Sequence, residues 1–361
     1  MKEKSSDEAL LEVMELKQHF KISKNFSIKA VDGVSFTIAR GETFGLVGES
    51  GSGKSVTMKA AMGILSSNGE INDGIIEFTS EEKGKKSTVN IIDMPQKKIR
   101  RTISGRKIAM VFQDPMTSLN PTMSIGSQLM EGMRHHLKLT KAQAYKRSVE
   151  LLQMVGIDEA EKHMKSYPHQ LSGGMRQRVV IAIALSCDPD ILICDEPTTA
   201  LDVTIQAKIL ELIEQIQKKR KLSVIYITHD LGVVSKIADY VSVMYAGKII
   251  EQGTVNEIFY DPRHPYTWGL LSSIPDLGAR DQKLFAIPGS PPNLLNPPKG
   301  DAFAPRNQFA IGMDYIEEPP MFKISSTHYA ATWLLDRRAP KIDMPDELRR
   351  RIDTMLKENE E

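Results

Sequence analysis

The stretch GESGSGKS, residues 48–55, restricts the possible folds of this chain more than any other. The apolar segment TFGLVG at its start predicts a short buried strand, and KSVTMKAAMGIL at its end predicts a helix. Glycines at such a junction let consecutive backbone N–H groups converge on an anion, and the helix adds its positive N-terminal end. A flexible Gly/Ser linker is the alternative, which the flanking elements disfavour. We therefore predict a phosphate loop, with these candidate ligands: Gly48, Ser50, Gly51, Gly53, Lys54, Ser55 and Val56.

Two residues of this phosphate loop (residues 48–55) have distinct expected roles, since Lys54 would reach the outer phosphates and Ser55 would bind Mg²⁺. A carboxylate for the metal is expected from DILICDEP, which predicts a buried strand that ends in Asp195 and Glu196. Asp195 would approach the Mg²⁺ held by Ser55, and Glu196 would act as the general base for an attacking water. A strand that ends in two acidic residues is by itself weak evidence for a metal-binding and catalytic site. Together with the phosphate loop it is strong evidence for one.

Composition excludes several classes of protein. The chain has 361 residues, 41% of them hydrophobic, so it is long enough for two or three globular domains. Its formal net charge of +1 gives no large field toward nucleic acid or an anionic membrane. The two cysteines, Cys187 and Cys194, lie in apolar surroundings and predict buried thiols without a disulfide. The N-terminus lacks signal-peptide character, and the longest apolar run, VVIAIAL, is too short to span a bilayer.

The order of patterns predicts several regions. Residues 11–47 are β-rich, and AVDGVSFTIARGETFGLVG predicts a hairpin that leads into the phosphate loop. Residues 80–107 are polar and basic, which indicates a solvated face or insertion rather than a nucleic-acid patch. Residues 123–170 show helical periodicity, with Val149, Leu152 and Val155 on one face. From residue 181 onward, buried strands alternate with helices, which is typical of a mainly parallel sheet.

The last hundred residues differ in composition. Of the 19 prolines, 13 lie beyond Asp261, which predicts irregular extended structure there, closed by a charged helix in DELRRRIDTMLKENEE. We therefore expect a first domain at residues 1–260, containing a helical lobe at about 116–171, and a C-terminal extension at residues 261–361.

A second glycine-containing helix start lies in YPHQLSGGMRQR. Ser172 and the two glycines after it free backbone N–H groups at a helix N-terminus, which suits a second anion site. An ordinary N-cap followed by a glycine turn is the alternative. One nucleotide cannot use both helix starts of one chain if they lie on different lobes.

These motifs together resemble the ABC-type ATPases. GESGSGKS, VFQDP, LSGGMRQR, LICDEP, ALD and ITHD occur in the order and spacing of that family, between residues 48 and 230. The resemblance implies an α/β P-loop NTPase fold: a RecA-like, mainly parallel sheet with an antiparallel β lobe, an α-helical lobe and, here, an irregular proline-rich C-terminal extension. It also implies ATP and Mg²⁺ as cofactors, with Ser55, Gln113 and Asp195 as metal ligands.

The family's residue roles transfer motif by motif. Gln113 matches the glutamine that contacts the metal and the nucleophilic water, and His229 matches the histidine that contacts the γ-phosphate. Asp202 matches a loop at the dimer interface. The family signature corresponds to Leu171, Ser172, Gly173, Gly174 and Met175, and the resemblance implies that these residues complete the phosphate site of a second cassette. An aromatic residue upstream normally stacks on adenine, and both Phe20 and Phe26 fit.

The similarity extends to one subfamily over almost the whole chain. FQDPMTSLNP, DEPTTALDVTIQAKIL, DPRHPYTWGLLSSIP and IPGSPP resemble the D-type ATPase subunit of oligopeptide permeases, with dipeptide permeases next. This implies an F-type ATPase as heterodimer partner, two transmembrane permease subunits and an extracellular peptide-binding protein. It implies a peripheral location on the cytoplasmic face of the cell membrane, and no nucleic acid. The alternatives are a soluble ABC ATPase of DNA repair or translation, an importer subunit for dipeptides or another substrate, and a chain that only binds ATP.

One departure from the subfamily concerns its tail. Many relatives place four cysteines there, with a spacing suited to an iron–sulfur cluster. The matching positions in this chain are Asp301, Asn307, Asp314 and Thr332. Since none of them supplies a thiolate, we expect no iron–sulfur cluster.

Overall fold

The computed structural model describes residues 9–24, 26–82, 84–198, 202–274 and 286–360. In these ranges the strands are β1 (Ala9–Lys21), β2 (Ser27–Ala39), β3 (Thr43–Val47), β4 (Gly69–Glu82), β5 (Lys85–Asn90), β6 (Ile108–Val111), β7 (Ile191–Asp195), β8 (Ser223–Thr228), β9 (Tyr240–Tyr245), β10 (Lys248–Thr254), β11 (Phe322–Lys323) and β12 (Tyr329–Ala330). The α-helices are α1 (Lys54–Ala61), α2 (Gln96–Thr102), α3 (Pro115–Ser118), α4 (Ile125–His136), α5 (Lys141–Met154), α6 (Ala160–His163), α7 (Gly173–Ala184), α8 (Val203–Arg220), α9 (Leu231–Ile237), α10 (Val255–Tyr260), α11 (Pro265–Ser272) and α12 (Asp346–Glu360).

The strands that lead into the predicted site residues all belong to the larger sheet. Its strand order is β11-β12-β10-β9-β3-β8-β7-β6, and the pairs from β9 to β6 are parallel. Every residue of β3, β7 and β8 is buried, as expected for parallel strands covered on both faces. The carboxyl ends of these strands meet at one edge of the sheet, where ligands bind in open α/β folds. The predicted mainly parallel sheet is confirmed.

The smaller sheet corrects one expectation. It is antiparallel with the order β2-β1-β4-β5, and β2 pairs with β1 along its length. The next strand, β3, instead pairs with β8 and β9 in the larger sheet. The hairpin predicted between β2 and β3 is therefore wrong. The turn at Gly41, which has a φ of 74°, carries the chain from one sheet to the other.

The basic stretch between residues 80 and 107 forms strand β5, with its hairpin to β4, and helix α2. Most of its charged side chains are exposed, while Ile91, Ile99 and Ile103 are buried beneath them. Its structure matches the solvated face that the composition indicates.

Helices α4, α5 and α7 pack into one apolar core with the sheet strands β6, β7 and β8. Ser124 caps α4, and Thr140 caps α5 with a capping box that includes Gln143. Leu152 and Val155 are buried in this core and Val149 packs against it, so the predicted helix face is confirmed. Cys187 and Cys194 are both free and buried, as predicted.

The C-terminal segment, residues 261–361, joins the larger sheet. Strand β12 pairs with β10, and β11 pairs with β12, so the segment adds two short strands to the sheet edge. Helices α11 and α12 share an apolar cluster with α9 and β9. Between them, residues 286–321 run without a strand, with short 3-10 turns, as the proline content predicts. No helix in the described ranges has both the length and the apolar character needed to cross a bilayer.

Candidate functional site

The phosphate loop lies between β3 and α1, as predicted. Two of its glycines pass so close to other backbone that a side chain would not fit. A Cβ atom on Gly48 would lie 2.1 Å from the carbonyl oxygen of Met244, and one on Gly53 would lie 2.4 Å from that of Ala30. Gly53 also has a φ of 102° and serves as the N-cap of α1. The loop shape therefore depends on glycine at both positions.

Lys54 points back into the phosphate loop. Its Nζ donates to the carbonyl oxygens of Gly48, at 2.6 Å, and Glu49, at 2.8 Å. Desolvation by burial lowers its pKa, against which the carboxylates of Glu196, Asp195 and Glu49 act. The ammonium group is therefore held in the loop beside carboxylates from other elements.

Ser55 and Asp195 meet across the site. The hydroxyl of Ser55, in the first turn of α1, donates to Oδ1 of Asp195 at 2.8 Å. Asp195 is the last residue of β7 and is buried. Burial raises its pKa, and the bond from Ser55 opposes that shift. The pair brings together a hydroxyl and a carboxylate that lie 140 residues apart. Val56, the residue after Ser55 in α1, is half-buried.

Glu196 is contacted by two side chains from neighbouring loops. Gln113 donates from Nε2 to Oε2 of Glu196 at 2.8 Å, and Nδ1 of His229 lies 3.0 Å from Oε1. The three residues follow strands β6, β7 and β8, which are adjacent in the sheet. Glu196 has a φ of 46°, an uncommon conformation for a residue other than glycine. Such strain is often found at functional sites.

The predicted signature segment, residues 171–175, starts helix α7 elsewhere on the chain. Ser172 is exposed and caps α7, since its Oγ accepts a hydrogen bond from the backbone N–H of Met175. Leu171 and Gly174 are buried, and Gly173 is exposed beside Ser172. No hydrogen bond among the described residues joins this segment to the phosphate loop. Within the described part of one chain, the two helix starts are therefore not joined by a hydrogen bond.

The remaining predicted residues are Asp202 and the two aromatic candidates for adenine stacking. Asp202 caps α8, where its Oδ1 accepts from the backbone N–H of Ile205 at 3.2 Å. Ile205 also packs toward the signature segment, because a Cβ on Gly174 would lie 3.1 Å from its Cγ2. Of the two aromatic candidates, Phe20 is half-buried in β1 and Phe26 is 64% exposed before β2.

One group at the phosphate loop has no counterpart among the predicted residues. Arg306 of the C-terminal segment forms a bidentate ion pair with Glu49, with N–O distances of 2.6 and 3.0 Å. The backbone N–H of Glu49 donates to the hydroxyl of Tyr266 at 2.9 Å. Arg306 lies 257 residues from Glu49 in the chain, so no local pattern could indicate the contact.

The four tail positions at which we expect no iron–sulfur cluster are all buried. Each side chain accepts a hydrogen bond from a backbone N–H two or three residues away and so stabilises a local turn. The acceptors are Asp301, Asn307, Asp314 and Thr332. Burial raises the pKa of Asp301 to about 6, although a backbone N–H opposes the shift. The absence of an iron–sulfur cluster stays a prediction.

Two families match the chain. The family described as ABC transporter matches residues 31–199, and the oligopeptide/dipeptide transporter C-terminal region matches residues 250–313. The chain is 54% identical over 344 residues to the dipeptide transport ATP-binding protein DppD of Lactococcus lactis subsp. cremoris, which covers 95% of this chain and 96% of that protein. It is 52% identical over 345 residues to the oligopeptide transport ATP-binding protein OppD of Bacillus subtilis, covering 95% and 94%.

Solved structures show the same fold. The dimeric post-hydrolysis state of an ATP-binding cassette bound to ADP and Pi matches with a TM-score of 0.58 at 24% identity, covering 68% of this chain and 98% of that chain. The protein cbiO1 from Clostridium perfringens, part of the ABC transporter complex cbiONQ, matches with a TM-score of 0.57 at 31% identity, covering 70% and 92%. This chain therefore belongs to the ABC transporter family of ATPases, among its oligopeptide and dipeptide transport ATP-binding proteins.

Proposed function

We propose that this chain is the ATP-hydrolysing subunit of an ABC-type importer of oligopeptides. The observation that carries the proposal is the convergence of Gln113 and His229 on Glu196, beside the Ser55–Asp195 pair. These groups lie at the carboxyl ends of neighbouring strands, at the sheet edge where the phosphate loop follows β3. The names of the relatives support peptides as the transported substrate. Dipeptides are the closest alternative to oligopeptides.

Each of these residues has a distinct part in hydrolysis. Lys54 and the backbone of the phosphate loop bind the triphosphate. Glu196 orients the attacking water and accepts its proton, and Gln113 holds both Glu196 and that water in place. His229 steadies the terminal phosphate. Most of the rate enhancement comes from positioning and charge neutralisation, as in phosphoryl transfer generally.

The oxygen atoms beside the phosphate loop suit Mg²⁺. The Ser55 hydroxyl and the Asp195 carboxylate lie within hydrogen-bond distance, and Mg²⁺ prefers hard oxygen ligands with one or two carboxylates. Across the described part of the chain, no cluster of three or more His, Cys, Asp or Glu residues could hold a metal ion. A site completed by nucleotide phosphates fits that finding. Ser55, Asp195 and Gln113 would hold the ion, which supplies charge neutralisation when bound.

In the described part of the chain, the signature segment makes no hydrogen bond to the phosphate loop, which supports a nucleotide site shared by two chains. We propose that the signature segment of this chain completes the nucleotide site of a second, F-type ATPase, whose own signature segment completes the site at Lys54. Two transmembrane permease subunits and an extracellular peptide-binding protein complete the importer. This chain then lies on the cytoplasmic face of the membrane and contacts neither peptide nor nucleic acid. Co-purification from membranes tests the assembly, since a soluble ABC ATPase would bring no integral subunits.

The substitution Glu196→Gln tests the catalytic assignment. It keeps the size of the side chain but removes the proton acceptor, so turnover at this chain's site should fall by about 10²-fold or more while ATP binding remains. The measurement is ATP hydrolysis by the assembled complex. Glu214→Gln is the matched control, because Glu214 pairs with Lys218 on the exposed side of α8. Wild-type turnover in the Glu196 variant would contradict the general-base role and favour a chain that only binds ATP.

A further inference from the structure

Arg306 is buried between the C-terminal segment and the phosphate loop. Its side chain is 5% exposed, and its guanidinium group lies over the rings of Tyr245 and Phe303. Nε donates to the carbonyl oxygen of Pro288 at 2.7 Å, while Nη1 and Nη2 donate to the two carboxylate oxygens of Glu49. A planar guanidinium matched to a carboxylate in this way is the strongest kind of side-chain ion pair.

Glu49 is held by its backbone as well as by its carboxylate. Its N–H donates to the hydroxyl of Tyr266 in α11, and its carbonyl oxygen accepts from Nζ of Lys54. Pro291 and Pro292 line a narrow cleft against the same loop. The C-terminal segment thus contacts the side chain and the backbone of a residue whose carbonyl also positions Lys54.

The charge of Glu49 is unfavourable for the proposed ligand. A carboxylate in the phosphate loop repels a triphosphate unless a cation compensates it, and Lys54 alone must also serve the phosphates. Arg306 supplies that cation from outside the loop. The ion pair is mostly removed from water, since Glu49 is 29% exposed, so solvent screens it only in part.

We propose that Arg306 is a positioning residue for nucleotide binding: it neutralises Glu49 within the phosphate loop, so that ATP affinity depends on a docked C-terminal segment. This inference rests on the proposed function of the loop as the nucleotide site. It gives the C-terminal segment a part in the ATPase cycle, through one ion pair between a proline-rich segment and the first turn of the phosphate loop.

A double-mutant cycle in the full-length chain tests the proposal. The variants are Arg306→Gln, Glu49→Gln and the two combined, and the measurement is the Kd of the slowly hydrolysed analogue ATPγS with Mg²⁺. We expect Arg306→Gln to weaken binding by roughly tenfold, because the Glu49 carboxylate is left uncompensated. The combined variant should regain most of the loss, since it no longer carries that charge. The loss in Arg306→Gln should also shrink at high salt.

Arg338→Gln is the matched control. Arg338 also forms a bidentate pair, with Asp336, but its side chain is 83% exposed and its partner is two residues away. It should bind the analogue as the wild type does. Thermal melting of all variants without nucleotide shows whether the chain remains folded.

The outcomes separate this inference from the proposed function. Unchanged affinity in Arg306→Gln overturns the inference, and so does an equal loss in the single and combined variants, which would indicate a structural role alone. Lys54→Ala is measured beside them. If it also leaves the affinity unchanged, the nucleotide site itself is misplaced; if only Lys54→Ala weakens binding, the proposed function stands and the role of Arg306 falls.

Discussion

The buried His264 predicts a pH dependence of folding that can be measured directly. His264 caps α11, where its Nδ1 accepts a hydrogen bond from the backbone N–H of Tyr266, and it is 0% exposed. Burial lowers its pKa from 6.5 to about 3, and a backbone hydrogen bond with Ala331 opposes that shift. The folded chain therefore keeps this imidazole neutral at a pH where the unfolded chain protonates it.

The direction and the size of this pH effect on folding stability follow from proton linkage. Between about pH 6.5 and pH 3 the unfolded chain binds one more proton at His264, so stability is full above pH 6.5 and falls as the pH decreases. Each pH unit in this window costs about 1.4 kcal/mol. At pH 5 the loss is therefore about 2 kcal/mol relative to pH 7, and the full shift corresponds to about 5 kcal/mol.

The substitution His264→Asn removes this titration and keeps a good N-cap residue. The smaller side chain leaves a cavity, but its cost is the same at both pH values. Between pH 7 and pH 5 the variant should therefore lose about 2 kcal/mol less stability than the wild type. The assay is urea unfolding followed by tryptophan fluorescence. Both tryptophans of the chain, Trp268 and Trp333, lie in the C-terminal segment that contains His264.

A second histidine serves as the control. His169→Asn replaces an exposed side chain in the helical lobe, so the pH dependence should remain that of the wild type. Equal pH dependence in the wild type and in His264→Asn would refute the reasoning, because it would mean that His264 is protonated as easily in the folded chain as in the unfolded one.

Two further substitutions, one of them with a matched control, test the phosphate loop and the start of α7. Gly48→Ala would place a Cβ atom 2.1 Å from the carbonyl oxygen of Met244, so we expect loss of ATP binding and a lower melting temperature. Gly41→Ala is its control, with a positive φ but open space around it, and should cost only about 1 kcal/mol without affecting ATP binding. Ser172→Ala removes the N-cap of α7, which should cost about 1 kcal/mol in thermal melting of the chain alone. In the assembled complex it should also reduce ATP hydrolysis strongly, and full activity there would contradict the role of the signature segment in a partner's site.

Local patterns predicted the parts of the site that depend on neighbours in sequence. The strand–loop–helix unit at residues 43–61, the strand that ends in Asp195 and the helix that starts after Ser172 all occur where periodicity and capping place them. Each depends on side-chain alternation, glycine conformation or a nearby hydrogen bond, and all three act over a few residues. The family motifs then indicated which of these pieces belong to one ATPase.

Only the tertiary structure decided which elements far apart in the sequence contact each other. The chain passes from the small sheet to the large one at Gly41 instead of closing a hairpin, because β1 supplies the long antiparallel partner of β2, while β3 is buried between two parallel strands. The pairing of Arg306 with Glu49 likewise depends on how the C-terminal segment docks against the phosphate loop. Such contacts arise from strand pairing, burial and charge compensation between elements far apart in the chain, and no short stretch of sequence contains both partners.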